Sequence, residues 1–175
     1  MREIGLPDRR APRPSAYTLE RAQVIPVPPE VAFAFFEDPQ NLRLITPDWL
    51  DFRISSVRGT PLDVGTTIFY RIRWLGLPIT WVSRITEFER NRRFVDVQIR
   101  GPYRSWRHEH TFEEHDGQTF MRDTVRYELP LGILGRIAHR MLVKRQLGAI
   151  FDYRASQIRR IFPGNEGGRR SCEPS

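Results

Sequence analysis

Apolar positions along the chain recur first at spacing two and later at spacing three to four, with prolines marking the changes. YTLERAQVIPV (17–27) carries strand-forming residues and stops at Pro28-Pro29. VAFAFFED (31–38) then reads as a short apolar helix. Proline is tolerated in a first helical turn, Glu30 suits the positive helix start, and Pro39 breaks the pattern. PQNLRL forms a second short helix before Thr46-Pro47. Six strands are predicted next: DFRISSV (51–57), TTIFYRIRWLG (66–76), ITWVSRITEFE (79–89), FVDVQIRGPY (94–103), SWRHEHTFEEH (105–115) and TFMRDTVRYELP (119–130). Asp116-Gly117 is the strongest hairpin signal among them. From Gly132 to Phe162 the spacing becomes helical, through Leu134, Ile137, Met141, Gly148, Phe151, Ala155, Ile158 and Phe162. One strand, two short helices, six strands and one long helix make an α+β fold with an antiparallel sheet.

Alternation puts Trp106, His108, His110 and Phe112 of SWRHEHTF on one face. A two-residue Asp116-Gly117 turn sets His110 opposite Asp123, Phe112 opposite Met121 and Trp106 opposite Tyr127. A turn centred near Tyr103 sets Asp96 opposite His110, Gln98 opposite His108, and Phe94 opposite Phe112. The hairpin across Gly76 sets Trp81 opposite Ile72 and Ser83 opposite Tyr70. The expected result is a row Asp96–His110–Asp123 across three strands, with His110 the better-held ring and His108 the freer one. Two carboxylates around one buried imidazole are costly unless the group is used or fully hydrogen-bonded.

With these elements in place, the chain resembles the START-like SRPBCC superfamily, the helix-grip fold shared with the birch-pollen allergen. The resemblance covers residues 17 to 162 and rests on VIPVPPEVAFAFFEDPQNLRLITP, FVDVQIRGPYRSWRHEHTF and DTVRYELPLGILGRIAHRMLVKRQLGAIFDYR. These stretches are similar to a bacterial ligand-binding subgroup, some members of which are fused to epimerase-like domains. The resemblance implies a curved antiparallel sheet of about seven strands gripping the C-terminal helix around a hydrophobic cavity. Its recurring positions fall on Phe94, Asp96, Gln98, Gly101, Pro102, Trp106, His108, His110, Phe112, Asp123, Tyr127, Pro130 and Gly132. Superfamily members bind lipids, sterols, quinones or hormones, and a minority cyclise or dehydrate polyketides.

Four readings of the cluster stand side by side. As a ligand site, His108, His110, Gln98 and Tyr127 supply hydrogen bonds, with walls from Tyr70, Trp74, Trp81, Phe94, Trp106, Phe112, Met141 and Phe151. As a structural layer, the same polar groups satisfy one another in a filled core. As an enzyme, His110 with Asp96 and Asp123 does acid–base chemistry of the cyclase, aromatase or dehydratase kind. As a metal centre, His-x-His with a facing carboxylate could assemble zinc. Because the carboxylates already account for His110, no metal and no cofactor are expected.

Composition narrows the partners. The chain has 175 residues and a net charge of +7, with Lys144 its only lysine. The basic groups are scattered among acids, so no nucleic-acid partner is expected, and the basic surface allows at most transient contact with an anionic membrane. No apolar run is long enough for stable membrane insertion. Cys172 is the only cysteine, which excludes an internal disulfide and fits a cytoplasmic setting. Residues 1–16 and 163–175 are expected as disordered ends of one ligand-binding domain, 17–162. The pattern specifies no oligomeric state. His139, set between arginines, is expected at the surface.

Overall fold

The computed structural model describes residues 16–164 apart from 75, 131–134, 136 and 138. Its strands are β1 (Tyr17–Ile25), β2 (Arg53–Arg58), β3 (Thr67–Trp74), β4 (Leu77–Glu89), β5 (Arg93–Arg100), β6 (Ser105–His115) and β7 (Gln118–Glu128). They form one antiparallel sheet in the order β1-β7-β6-β5-β4-β3-β2. Helix α1 (Pro29–Glu37) follows β1, and helix α2 (Lys144–Ile161) follows a π-helical turn, His139–Val143. This is the helix-grip arrangement, with a curved sheet around a C-terminal helix. The ends beyond residues 16 and 164, including Cys172, lie outside the described residues, as do Gly132 and Leu134.

Local chemistry explains each element. Pro29 opens α1 and Glu30 sits in its first turn. The Asp38 carboxylate then accepts from the Gln40 backbone N–H at 2.9 Å. The expected second helix is wound as a 3₁₀ segment, Pro39–Ile45, and a second such segment follows at Asp48–Leu50. Register irregularities at Ile54/Ser56, Val82/Ser83 and Ile85/Glu87 are bulges, which bend strands and increase their twist.

Both residues of the Asp116-Gly117 turn have positive φ, 52° and 74°, as a two-residue I′ turn demands. The pairs His110↔Asp123, Phe112↔Met121 and Trp106↔Tyr127 follow as read from sequence. The other two hairpins are displaced by two residues from their expected register. Phe94 pairs with His110 and Asp96 with His108, because Tyr103 is not a turn apex. It folds inward, 5% exposed, while the Gln98 side-chain amide donates to its carbonyl at 2.7 Å and accepts from its N–H at 3.3 Å. Across Gly76, Tyr70 pairs with Trp81 and Ile68 with Ser83, since Trp74↔Leu77 closes a tighter turn. An even displacement keeps every side chain on its face.

The core divides into two apolar clusters. One gathers Ile25, Phe33, Ile45, Phe94, Phe112, Met121 and Ile158, and the other Trp81, Tyr103, Val125, Tyr127, Val143, Leu147 and Phe151. On the opposite face of the sheet, Arg93 and Arg107 pair with Glu87 and Glu109, which occupies part of the basic charge. Phe33 is fully buried and meets Phe88, Phe94 and Phe112 edge-on at centroid distances of 5.6, 5.9 and 5.2 Å. Phe33→Ala is expected to cost about 3–5 kcal/mol in urea unfolding. An unchanged midpoint would show that α1 is not held through this ring.

Candidate functional site

Between the inner face of the sheet and α2 lies a cavity of about 160 Å³. Tyr70, Trp74, Trp81, Phe94, Tyr103, Trp106 and Phe151 give it a largely aromatic wall, closed by Leu42 and Leu50 of the 3₁₀ segments and by Leu147 and Ile150 of α2. Asp96, His108, His110, Ser83 and Arg154 also line it. Strand alternation delivers this set. Trp106 and Phe112 belong to the two apolar clusters, so the two histidines between them on β6 fall at the seam.

At the seam, His108 Nε2 donates to Asp123 Oδ1 at 3.0 Å. His110 Nδ1 lies 2.7 Å from the same oxygen but makes no well-directed hydrogen bond, so that contact is an ion-pair contact. Asp96 Oδ2 lies 3.5 Å from His108 Nδ1 and 3.8 Å from His110 Nε2. Its other oxygen accepts from Ser83 Oγ at 3.1 Å, and Ser83 in turn accepts from Trp81 Nε1 at 3.1 Å. The two imidazole rings are 3.9 Å apart, and Phe94 stacks on His110 at 4.2 Å. Both rings are therefore held, and His108 is not the freer one.

Electrostatics separates the two rings. Burial and the like charge of His110 push His108 down to about 4, against the pull of Asp123 and Asp96. Burial also lowers His110, but the Asp123 charge and the contacts to both carboxylates outweigh it and leave the ring raised. For Asp123 and Asp96, burial favours the neutral acid, and the neighbouring imidazoles overcome it, holding both below the ordinary range.

Several expected site residues stand elsewhere. Gln98 is spent on the Tyr103 loop and does not line the cavity. Phe112 is packed in the Phe33 cluster, and Tyr127 is hydrogen-bonded to His139 at 2.8 Å. Met141 is 65% exposed, because the π turn rotates it away from the sheet. His139 is buried, stacked on Tyr17 at 3.5 Å, rather than at the surface.

Arg154 went unread in the sequence. It is 9% exposed, lies 4.9 Å over the Phe151 ring, and its Nη1 is 3.8 Å from Asp123 Oδ1. Among the described residues, its Nε and Nη1 have no hydrogen-bond partner. The available signal was its place among Leu147, Phe151 and Ile158 on the inward stripe of α2.

Residues 25–151 match the family described as polyketide cyclase / dehydrase and lipid transport. The chain belongs to this family. No curated protein matches it in sequence. Among solved structures it is similar to the Zhui aromatase/cyclase of Streptomyces sp. R1128, at 15% identity and a TM-score of 0.62, covering 87% of this chain and 99% of that one. It is also similar to a START superfamily protein from Mycobacterium smegmatis, at 9% identity and a TM-score of 0.60, covering 82% and 98%. A nucleoside-diphosphate sugar epimerase from Corynebacterium glutamicum is 23% identical with a TM-score of 0.58, covering 80% of this chain and 28% of that one. These likenesses establish the fold. Among the described residues, no helix is long and apolar enough to cross a membrane.

The buried carboxylate at the seam makes a direct stability test. Asp123→Ala is expected to cost about 3–5 kcal/mol in chemical denaturation, because it strips the partner from buried polar rings. Asp152→Ala, at the exposed Arg21 pair, serves as the reference and should cost far less. Equal costs for the two substitutions would mean that the rings do not depend on the carboxylate.

Proposed function

We propose that residues 17–162 act as one domain that binds a compact hydrophobic small molecule between the sheet and α2, for transport or sensing in the cytoplasm. The observation that carries this reading is the aromatic cavity with its polar end at Asp96, His108 and His110. Apolar pockets with a few convergent polar groups orient ligands that carry an oxygen function. The volume is on the scale of a cavity of about 150 Å³ that accepts benzene, so a compact ring compound suits it better than a long acyl chain. Arg154 adds buried N–H donors without hydrogen-bond partners among the described residues, and a buried donor left unsatisfied costs about 1–3 kcal/mol. An oxygen acceptor on the ligand relieves that cost.

The family description names lipid transport beside cyclase and dehydrase chemistry, and one similar structure is an aromatase/cyclase. Together with His110 on the cavity wall between two carboxylates, this supports a second reading. His110, set by Asp96 and Asp123, would move a proton in a dehydration or cyclisation.

Native mass spectrometry of the purified chain, followed by solvent extraction, is expected to recover a hydrophobic ring compound. Binding of 1-naphthol, followed through the fluorescence of the cavity tryptophans, should weaken by about tenfold or more in Ile150→Trp, which fills the cavity from α2. Absence of any extracted ligand, together with equal 1-naphthol affinity in the two proteins, would end the binding reading. Chemical conversion of an extracted ligand on incubation, lost in His110→Ala, would favour the enzyme.

A further inference from the structure

We propose that Asp96, His108 and His110 form a binding site for one divalent transition-metal ion on the sheet wall of the cavity. Each of the three residues offers a ligand atom, and these atoms lie within 4.8 Å of one another. His108 Nδ1 and His110 Nε2 both face Asp96 Oδ2, at 3.5 and 3.8 Å. Those separations are too long for good hydrogen bonds. They approach the spacing of ligands around a single ion, about 3.3 Å for tetrahedral bonds of about 2.0–2.1 Å.

The far side of every proposed ligand is already engaged. His108 Nε2 donates to Asp123, and His110 Nδ1 lies against the same carboxylate. Asp96 Oδ1 accepts from Ser83, which leaves Oδ2 turned to the rings. A carboxylate behind a ligating histidine fixes its tautomer and raises its basicity. Metal binding requires both rings neutral with their N–H on the Asp123 side, and His108 Nδ1, His110 Nε2 and Asp96 Oδ2 then face one another as acceptors. Three acceptors facing one another repel, and a cation between them turns the repulsion into coordination.

Two imidazoles and a carboxylate suit Zn(II), Fe(II) and their neighbours rather than Mg(II) or Ca(II). Three protein ligands leave a further coordination position for a water or an oxygen of a cavity ligand. The two aspartates, Arg154 and a divalent ion together carry one net positive charge, which favours an oxygen anion there. Metal binding stands independently of the organic molecule proposed for the cavity, and its test needs no such molecule.

The full-length protein, stripped with chelator, is titrated with Zn(II) in competition with a chromophoric chelator, and with Co(II) by visible absorption. One equivalent is expected to bind. Asp123→Asn should weaken binding by about 10–100-fold, and loss of any one ligand, as in His108→Ala, His110→Ala or Asp96→Ala, by about 100-fold or more. His115→Ala, at the exposed β6–β7 turn, should leave it unchanged. Failure of the wild-type protein to bind Zn(II), or stoichiometric binding that survives His108→Ala and His110→Ala, overturns the site. X-ray absorption on the wild-type Zn(II) complex guards against variants that fold poorly: two imidazoles around the ion uphold the assignment, and fewer overturn it.

Discussion

A carboxylate buried in a sheet must be answered by charge or by hydrogen bonds, and at Asp123 it is answered by two imidazoles at once. That one oxygen fixes both rings of β6, and the rings in turn depress both neighbouring carboxylates. Apolar packing stops where this polar seam begins, so the core separates into two clusters rather than filling as one. The cavity borders that interruption. Its aromatic walls are rigid because each ring leans on the next, from Tyr70 on Trp81 at 6.0 Å to Trp81 on Trp106 at 5.3 Å.

The seam is an arrangement of layered dependence. Trp81 holds Ser83, Ser83 holds Asp96, and Asp96 faces the two rings that Asp123 holds from behind. Residues from β4, β5, β6 and β7 thus converge on one polar seam without any of them lying on a loop. Placement on strands keeps such a group within tight geometric limits. Arg154 closes it from α2, so the two layers of the fold meet electrostatically as well as by packing.

Much of this was legible in the sequence. Alternation in SWRHEHTF and the Asp116-Gly117 turn were enough to bring His110 to Asp123, because a two-residue turn leaves the register no freedom. The β5–β6 connection did not have that property. Its geometry depends on Gln98 folding back over Gly101 to hold Tyr103, where a side chain at position 101 would collide with the Gln98 amide. No local pattern announces such a contact, so the pairing of Asp96 was displaced by two residues while its face was right. Arg154 was illegible for a different reason. A basic residue on an amphipathic helix reads as solvated, and its place on the inward stripe with Leu147, Phe151 and Ile158 gains meaning only once Asp123 is seen opposite it.

The π turn at His139–Val143 has a consequence for Arg154. An α-helix advances about 100° per residue, and a π turn accommodates more residues before the chain comes round again. The inward positions His139, Val143, Leu147 and Phe151 are accordingly four apart, whereas Ile137, Met141 and Leu142 point outward. A helix carries angular position along its axis as a stiff shaft does. The bearing of Arg154 on Asp123 is thus set some four turns upstream, where His139 wedges between Tyr17 and Tyr127.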